Sequence, residues 1–258
     1  MANLKSLVSA LISQTPLQYV SVRVRKGLAQ GSLWTLMPFS SNWRDGGEPD
    51  LEAAFRMLKK DGAINCWDLG AHFGIHTVGL ALQIGVTGQV AAFEPDPIAF
   101  KRLSRHIAMN KLQNVKLLNV AVSDHSGQKD LIIAEGLGST LSHFKYEDEP
   151  ITSHTLTVRV PTVALDDLVA DLTIKPPSLI KIDIQGHGAK AIAGGIKTIT
   201  NHRPIIVFSS HSPWELHDTK VLLESLDYHA LNAQGERVSW ESFMHETGIL
   251  MPEPISSN

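Results

Sequence analysis

Residues 64–95 read INCWDLGAHFGIHTVGLALQIGVTGQVAAFEP. The apolar run Ile64 to Trp67, closed by Asp68, predicts a buried strand; a turn bearing Gly70 and Gly74 follows, and then a helix. A second apolar run, Gln89 to Phe93, ends in Glu94. Glycines at such a first strand-to-helix turn let the backbone approach a ligand where a side chain would block it. An acid closing the next strand, about twenty positions on, suits hydrogen bonds to a ribose diol. The segment reads as half of a nucleotide-binding site. Its glycine spacing, Gly70-Ala71-His72-Phe73-Gly74, is not the GxGxxG of a pyrophosphate-binding turn. That argues against a nicotinamide oxidoreductase, which shares the same strand, turn, helix and acid.

Outward from this segment the chain alternates helix and strand, the pattern of a mostly parallel sheet with helices on both faces. A helix is expected over Leu51 to Lys60, stopped at Asp61-Gly62. Others are expected over Gly74 to Ile84, Pro97 to Asn110, Ala164 to Ala170 and Ala189 to Thr200, with a last one after Pro213-Trp214. Further strands are expected at Val115 to Val120, Lys129 to Ala134, Leu179 to Ile184 (ending in Asp183 and Ile184), Pro204 to Phe208, Tyr228 to Leu231 and Gly248 to Met251. Leu156 to Val163 alternates like a half-buried strand whose proline places it at an edge. Gly136 to Thr155 has no clear period and reads as a long loop over the domain, a length that in compact domains tends to be functional. The first fifty residues differ in texture: an amphipathic helical pattern to about Ala29, then a turn-rich stretch. They are assigned to a cap (1–50), and 51–258 to the ligand-binding domain.

The 258 residues carry a formal net charge of -3, so no basic field is available for a nucleic acid backbone. The single cysteine, Cys66, falls in an apolar strand pattern and reads as a small core residue; it excludes a disulfide within the chain. No apolar run approaches the roughly 20 residues of a transmembrane segment. The N-terminal MANLKSLVSALISQTPLQ lacks the basic start and cleavage site of a signal peptide, so a cytoplasmic protein is expected.

The residues D-x-G-A-x-x-G-x-x-T from Asp68 to Thr77 resemble motif I of methyltransferases that use S-adenosyl-L-methionine (SAM). With E-P at Glu48-Pro49, A-F-E-P at Ala92 to Pro95, N-V-A-V-S-D at Asn119 to Asp124, V-A-L-D-D-L at Val163 to Leu168, I-K-I-D-I-x-G at Ile180 to Gly186 and R-P-I-I at Arg203 to Ile206, the chain resembles the FkbM-type methyltransferases over about residues 47–210. The resemblance implies a class I methyltransferase fold, a Rossmann-like α/β sheet of seven strands with the last antiparallel. It also implies O-methylation of a sugar, glycolipid or other natural-product hydroxyl. Three family carboxylates are replaced, by Gln185, Gly188 and Ser209, and a catalytically silent SAM-binding scaffold is the alternative reading.

The implied cofactor residues are Asp68, Gly70, His72, Gly74 and Thr77 around the methionine end, Glu94 and Pro95 at the ribose, and Val122, Ser123 and Asp124 at the adenine. Asp124 also reads as an ordinary turn residue in Ser-Asp-His-Ser-Gly. Asp183, beside the sulfonium, is assigned to both cofactor and catalysis. His187 and His211 fall at the carboxyl ends of adjacent strands, where open α/β sheets bind ligands, so they read either as catalytic groups or as a solvated rim. His187 is the expected base, kept neutral by a helix N-terminus and oriented by Asp183, with Asp183 itself as the other candidate. His76 reads as structural. No metal is expected, since one carboxylate at the strand ends is thin support for a hard cation. The acceptor and the oligomeric state stay open.

Overall fold

The computed structural model describes residues 20–36, 42–45, 47–59, 62–134, 143–144 and 155–254. Its elements run β1 (Ser21–Arg23), β2 (Leu33–Thr35), α1 (Asn42–Asp45), α2 (Pro49–Met57), β3 (Asn65–Leu69), α3 (Ile75–Ile84), β4 (Gln89–Phe93), α4 (Pro97–Met109), β5 (Val115–Leu118), β6 (Ala121–Val122), β7 (Gly127–Ala134), β8 (His143–Phe144), β9 (Thr155–Val163), α5 (Leu165–Ala170), β10 (Leu179–Ile182), α6 (Gly188–Gly194), α7 (Ile196–His202), β11 (Ile205–Ser209), α8 (Pro213–Glu224), β12 (Tyr228–Leu231) and β13 (Thr247–Pro252). Seven of the strands form one sheet in the order β12-β13-β11-β10-β3-β4-β5. Strands β5, β4, β3, β10 and β11 run parallel, and β13 is antiparallel to both of its neighbours. This is the class I methyltransferase topology.

The strand interiors are apolar on both faces because helices cover both. Trp67, Phe93, Ile180 and Phe208 pack with Ile192, Ile199 and Leu216 of α6, α7 and α8. Cys66, Val90, Leu179 and Val207 pack on the other face with Leu51 and Phe55 of α2 and Leu80 of α3. Cys66 is fully buried, and burial pushes its thiol far up, away from the thiolate. Among the described residues no helix is long and apolar enough to cross a membrane.

Four expectations are corrected. Within the described part of the N-terminal region, residues 20–36 form a strand ribbon, not a helix: β1 pairs antiparallel with β2, Val22 opposite Trp34. The stretch Val20-Ser21-Val22-Arg23-Val24 alternates β-branched residues with period two, a strand signal. Second, β6 to β9 form their own four-stranded sheet, β6-β9-β7-β8. In it β7 pairs along its whole length with β9, while β6 reaches only Thr162 and Val163, so Pro161 has a strand on one side alone. Third, His143 and Phe144 within the expected loop form β8 against β7; the rest of that loop to His154 lies outside the described residues, as does the start of the chain to Tyr19. Fourth, the helix expected over Ala189 to Thr200 breaks into α6 and α7 at Gly195, the second of two consecutive glycines. At the first of these, Gly194, a Cβ would lie 2.0 Å from the Ser123 carbonyl oxygen.

The ribbon shares its core with the sheet. Trp34 is fully buried and stacks on His106 of α4 at 3.7 Å between ring centroids. His106 Nδ1 bonds the Phe73 carbonyl at 2.7 Å and its Nε2 accepts the Thr35 N–H at 3.2 Å. Burial pushes this ring down to about 4, so it is neutral and bridges the ribbon to the turn after β3. On α3, a Cβ at Gly79 would lie 2.8 Å from Leu28 Cβ, which explains a glycine in mid-helix.

Candidate active site

The turn between β3 and α3 has three residues at positive φ: Gly70 (84°), His72 (49°) and Gly74 (89°). Its glycines answer to packing. A Cβ on Gly70 would lie 2.1 Å from the Asp183 carbonyl oxygen, and one on Gly74 2.3 Å from Leu103 Cδ1 of α4. Gly70 is therefore required by the close approach of this turn to the end of β10, a stronger demand than room for a ligand. The N–H groups of Gly70 and Ala71 both donate to the Phe93 carbonyl, at 3.0 and 2.9 Å. The His72 ring stacks on Phe73 at 3.7 Å, and its backbone N–H donates to Glu94 Oε2 at 2.6 Å.

Glu94 closes β4 and ties two turns together, because its Oε1 accepts the Asp96 N–H at 2.9 Å. Asn119 Nδ2 donates to the carbonyls of Glu94 (2.7 Å) and Pro95 (3.3 Å), fixing the same corner from the end of β5. Asp96 then caps α4, accepting from Ile98 and Ala99. Burial raises the Glu94 carboxyl to about 7 against the pull of its two backbone N–H bonds. A carboxylate has about four acceptor sites, so two hydrogen bonds leave capacity for a diol. Deeper in, Asp68 is fully buried; its Oδ2 accepts from Thr77 Oγ1 at 2.5 Å, and its Oδ1 has no hydrogen-bond partner among the described residues. An orphaned buried carboxylate oxygen beside this turn fits the ammonium of an amino acid ligand.

At the ends of β10 and β11 the structure brings Asp183 and His211 together: Oδ1 to Nε2 is 2.8 Å. The other Asp183 oxygen, Oδ2, is 3.3 Å from Nζ of Lys181, whose side chain is 1% exposed. Burial works against ionisation of Asp183, but the Lys181 charge and the His211 hydrogen bond hold its carboxyl well below the usual range. His211 is likewise opposed by burial yet held above the ordinary histidine value by Asp183, with help from Glu215.

His187 goes elsewhere. Its Nε2 is 3.0 Å from Ser123 Oγ, which also donates to Asp124 Oδ1 at 2.9 Å and receives Lys129 Nζ at 3.3 Å. The histidine expected to act with Asp183 is joined to Ser123, and His211 takes the place beside the carboxylate. His187 is indeed held neutral, pushed down to about 3, but burial and the charges of Lys129 and Lys190 do this. Val122 and Ser123 are both buried.

The replaced family acids have local explanations. Gln185 (φ 38°) and Gly186 (φ 82°) form a tight turn closed by His187 N–H to the Ile184 carbonyl at 3.0 Å. At Gly188 a Cβ would lie 2.6 Å from Phe208 Cε2 and 2.8 Å from Glu215 Oε1, so a carboxylate from α8 fills that space. Ser209 Oγ turns to Thr247 Oγ1 on β13 at 2.9 Å. Glu215, 3% exposed, accepts the N–H of Gly188 (2.7 Å) and of His211 (2.9 Å), bracing the loops after β10 and β11. Lys181 lies within the I-K-I-D-I-x-G motif but has no role implied there, and Glu215 lies outside every motif. A charged residue inside the apolar strand LIKI signals the first, and the capping pattern Ser212-Pro-Trp-Glu215 points to the second only as a helix start.

Residues 68–230 match the methyltransferase FkbM domain family. The chain is 29% identical over 162 residues to the 2-O-methyltransferase NoeI of Sinorhizobium fredii, covering 56% of this chain and 62% of that protein. It is 25% identical over 148 residues to the hexuronic acid methyltransferase AglP of Haloferax volcanii, covering 55% and 54%. The chain thus spans less than two thirds of the length of these curated relatives. The crystal structure of methyltransferase FkbM from Methylobacillus flagellatus covers 82% of this chain and 50% of its own, with a TM-score of 0.53 and 19% identity, a likeness of fold.

Proposed function

Because the chain belongs to the methyltransferase FkbM domain family, we propose that it is a SAM-dependent O-methyltransferase acting on a hydroxyl of a sugar or sugar-bearing acceptor, with His211 as the base and Asp183 as its partner. The observation that carries this reading is the 2.8 Å Asp183–His211 pair at the carboxyl ends of two adjacent central strands, next to the turn after β3. The sugar class is suggested by the activities of the relatives from Sinorhizobium fredii and Haloferax volcanii.

SAM, when bound, supplies a methyl carbon on a positively charged sulfur. Glu94 has the acceptor capacity for the ribose hydroxyls, Asp68 Oδ1 for the amino group, and Ser123 and Asp124 stand at the adenine side. In the tautomer where His211 Nε2–H donates to Asp183, Nδ1 is the basic nitrogen. It takes the proton of the acceptor hydroxyl as that oxygen becomes the nucleophile, an assistance worth about 10² to 10⁴ in rate. Ionised Asp183 fixes the ring and stabilises the imidazolium that forms. Since Asp183 raises the basicity of His211, kcat/KM should climb with pH to a plateau above the ordinary histidine range.

The test is incubation with SAM and a panel of hexuronic acids, deoxyhexoses and amino-sugar oligomers, reading S-adenosylhomocysteine and the methylated product by mass spectrometry. Turnover abolished in His211→Asn, with SAM affinity by calorimetry within about threefold of the parent, supports the reading. SAM binding with no product across the panel favours the scaffold. No SAM binding at all refutes both.

A further inference from the structure

Lys181 is the least expected group in the centre of this sheet. It lies on β10, directly across from Asp68 on β3 and from Val207 on β11, with a side chain 1% exposed. Burying an ammonium carries a penalty of several kcal/mol unless charges and hydrogen bonds offset it. Here Glu48 Oε2 lies 3.8 Å from Nζ and Asp183 Oδ2 lies 3.3 Å away. Burial opposes the charge, but Glu48, Asp183 and Asp68 more than compensate, and the lysine stays ionised. On the far side, Glu48 Oε2 is 3.3 Å from Nε2 of His76 on α3. Burial and the Lys181 charge push His76 below the ordinary histidine value. The groups form one line: His76, Glu48, Lys181, Asp183, His211.

We propose that Lys181 is a positioning residue of this site, an ammonium anchored from behind by Glu48 that fixes the Asp183 carboxylate and sets the orientation and proton-accepting strength of His211. Geometry supports a dedicated role. Asp183 is a fork, one oxygen on a fixed cation and one on the histidine, so its rotation about χ2 is determined and the His211 ring with it. The backbone of His211 is held independently by Glu215. The anchor Glu48 immediately precedes α2, so a residue far from the strand ends in sequence stabilises the cation in their midst.

The electrostatic consequence has a definite sign. The charged and titratable groups around the Lys181, Asp183 and His211 line are Glu48 ahead of α2, Asp68 from β3, His76 from α3, and Glu215 from α8. Removing the Lys181 charge leaves the Asp183 charge unneutralised and ends a direct repulsion, so His211 binds its proton more tightly. Removing the Glu48 charge does the reverse.

The inference rests on Asp183 and His211 being the base pair of methyl transfer, but its test needs no acceptor. The ring resonances of His211, assigned by comparison with His211→Asn, are titrated by NMR in the full chain. Lys181→Met should raise the His211 midpoint by about one pH unit, Glu48→Gln should lower it, and Lys181→Arg should leave it near the parent. Where Lys181→Met does not fold, as judged by circular dichroism, Glu48→Gln and Lys181→Arg carry the test. An unmoved midpoint in folded Lys181→Met, or in Glu48→Gln, overturns the proposal, since a residue needed only for packing leaves the titration alone. The two readings fail separately: shifted midpoints with full turnover in His211→Asn refute the base assignment, whereas a dead His211→Asn with unmoved midpoints refutes the role of Lys181.

Discussion

Glu94→Gln removes one charge from a carboxylate that is 6% exposed, and the effect can be worked out in sign and size. In the ligand-free fold burial raises Glu94 from the usual 4.5 to about 7, despite the N–H bonds from Asp96 and His72. Between those two values the folded chain holds a proton that the unfolded chain has released. The contribution to stability is therefore present below about 4.5 and lost as pH rises through about 7. At about 1.4 kcal/mol per unit, the parent should lose about 2.5 kcal/mol between pH 5 and pH 8 that the glutamine variant, which cannot titrate, keeps. Urea unfolding of both proteins at pH 5, 6, 7 and 8 measures this as a changing difference in free energy. Glutamine also presents an NH₂ where one backbone N–H needs an acceptor, which offsets the two curves by about 1 to 3 kcal/mol without altering their divergence. The same variant, or Glu94→Ala, should weaken SAM binding by on the order of 1 to 3 kcal/mol, the loss of charge-assisted bonds to the ribose. Diol donors favour the ionised form, so SAM affinity of the parent should fall as pH drops below 7, by up to about tenfold per unit. Parallel stability curves together with a SAM affinity that is flat from pH 6 to 8 would refute the reasoning. They would place Glu94 ionised throughout and away from the ligand.

Three further outcomes are expected. His187→Ala should lower kcat by less than about tenfold and leave the pH profile in place, because His187 bonds Ser123 and is pushed down to about 3; a loss of 10² or more with a displaced acid limb would return the base to His187. Gly70→Ala should destabilise by about 3 kcal/mol or more, since the added Cβ meets the Asp183 carbonyl at 2.1 Å, whereas Gly235→Ala, with Met57 Cε at 3.3 Å, should cost about 1 kcal/mol from its positive φ alone; thermal melts showing equal effects would refute the packing argument. Chelator treatment should leave turnover within about twofold, because both Asp183 oxygens are engaged by Lys181 and His211 and an ammonium repels a dication; activity abolished by chelator and restored by Mg²⁺ would show otherwise.

The sheet was legible because its central strands are short apolar runs, with Glu94 directly after β4 and Asp183 directly after β10, and two helix starts carry a local mark: Pro97 after Asp96, Pro213 after Ser212. Such signals span three or four residues and need no knowledge of neighbours. The N-terminal ribbon was missed where a helical pattern was carried on through Val20 to Val24, whose alternation is a strand's. The site divides along the same line. Glu94, Thr77 and Asp68 are bonded within a single β3-α3-β4 unit, so spacing alone brings them together. Asp183 and His211 are 28 residues apart, and Lys181 meets Glu48 across the sheet, so their pairing depends on strand order and register.

The glycines show the limit of motif reasoning most clearly. Gly70 and Gly74 suggest room for a ligand and do lie in the turn between β3 and α3, yet the nearest obstacles to a side chain there are Asp183 and Leu103 of this same chain. A turn pressed this closely onto the end of β10 holds the Asp183 backbone against it, so one contact sets the spacing between the two halves of the candidate site, the turn with Asp68 and Glu94 and the Asp183–His211 pair. Glycine there is a condition for the two halves to meet, whichever ligand they take. What distinguishes a methyl donor from a dinucleotide must then come from the groups around the turn: Asp68 with its unpartnered oxygen, the half-satisfied Glu94, and the charge line that runs from Glu48 to His211.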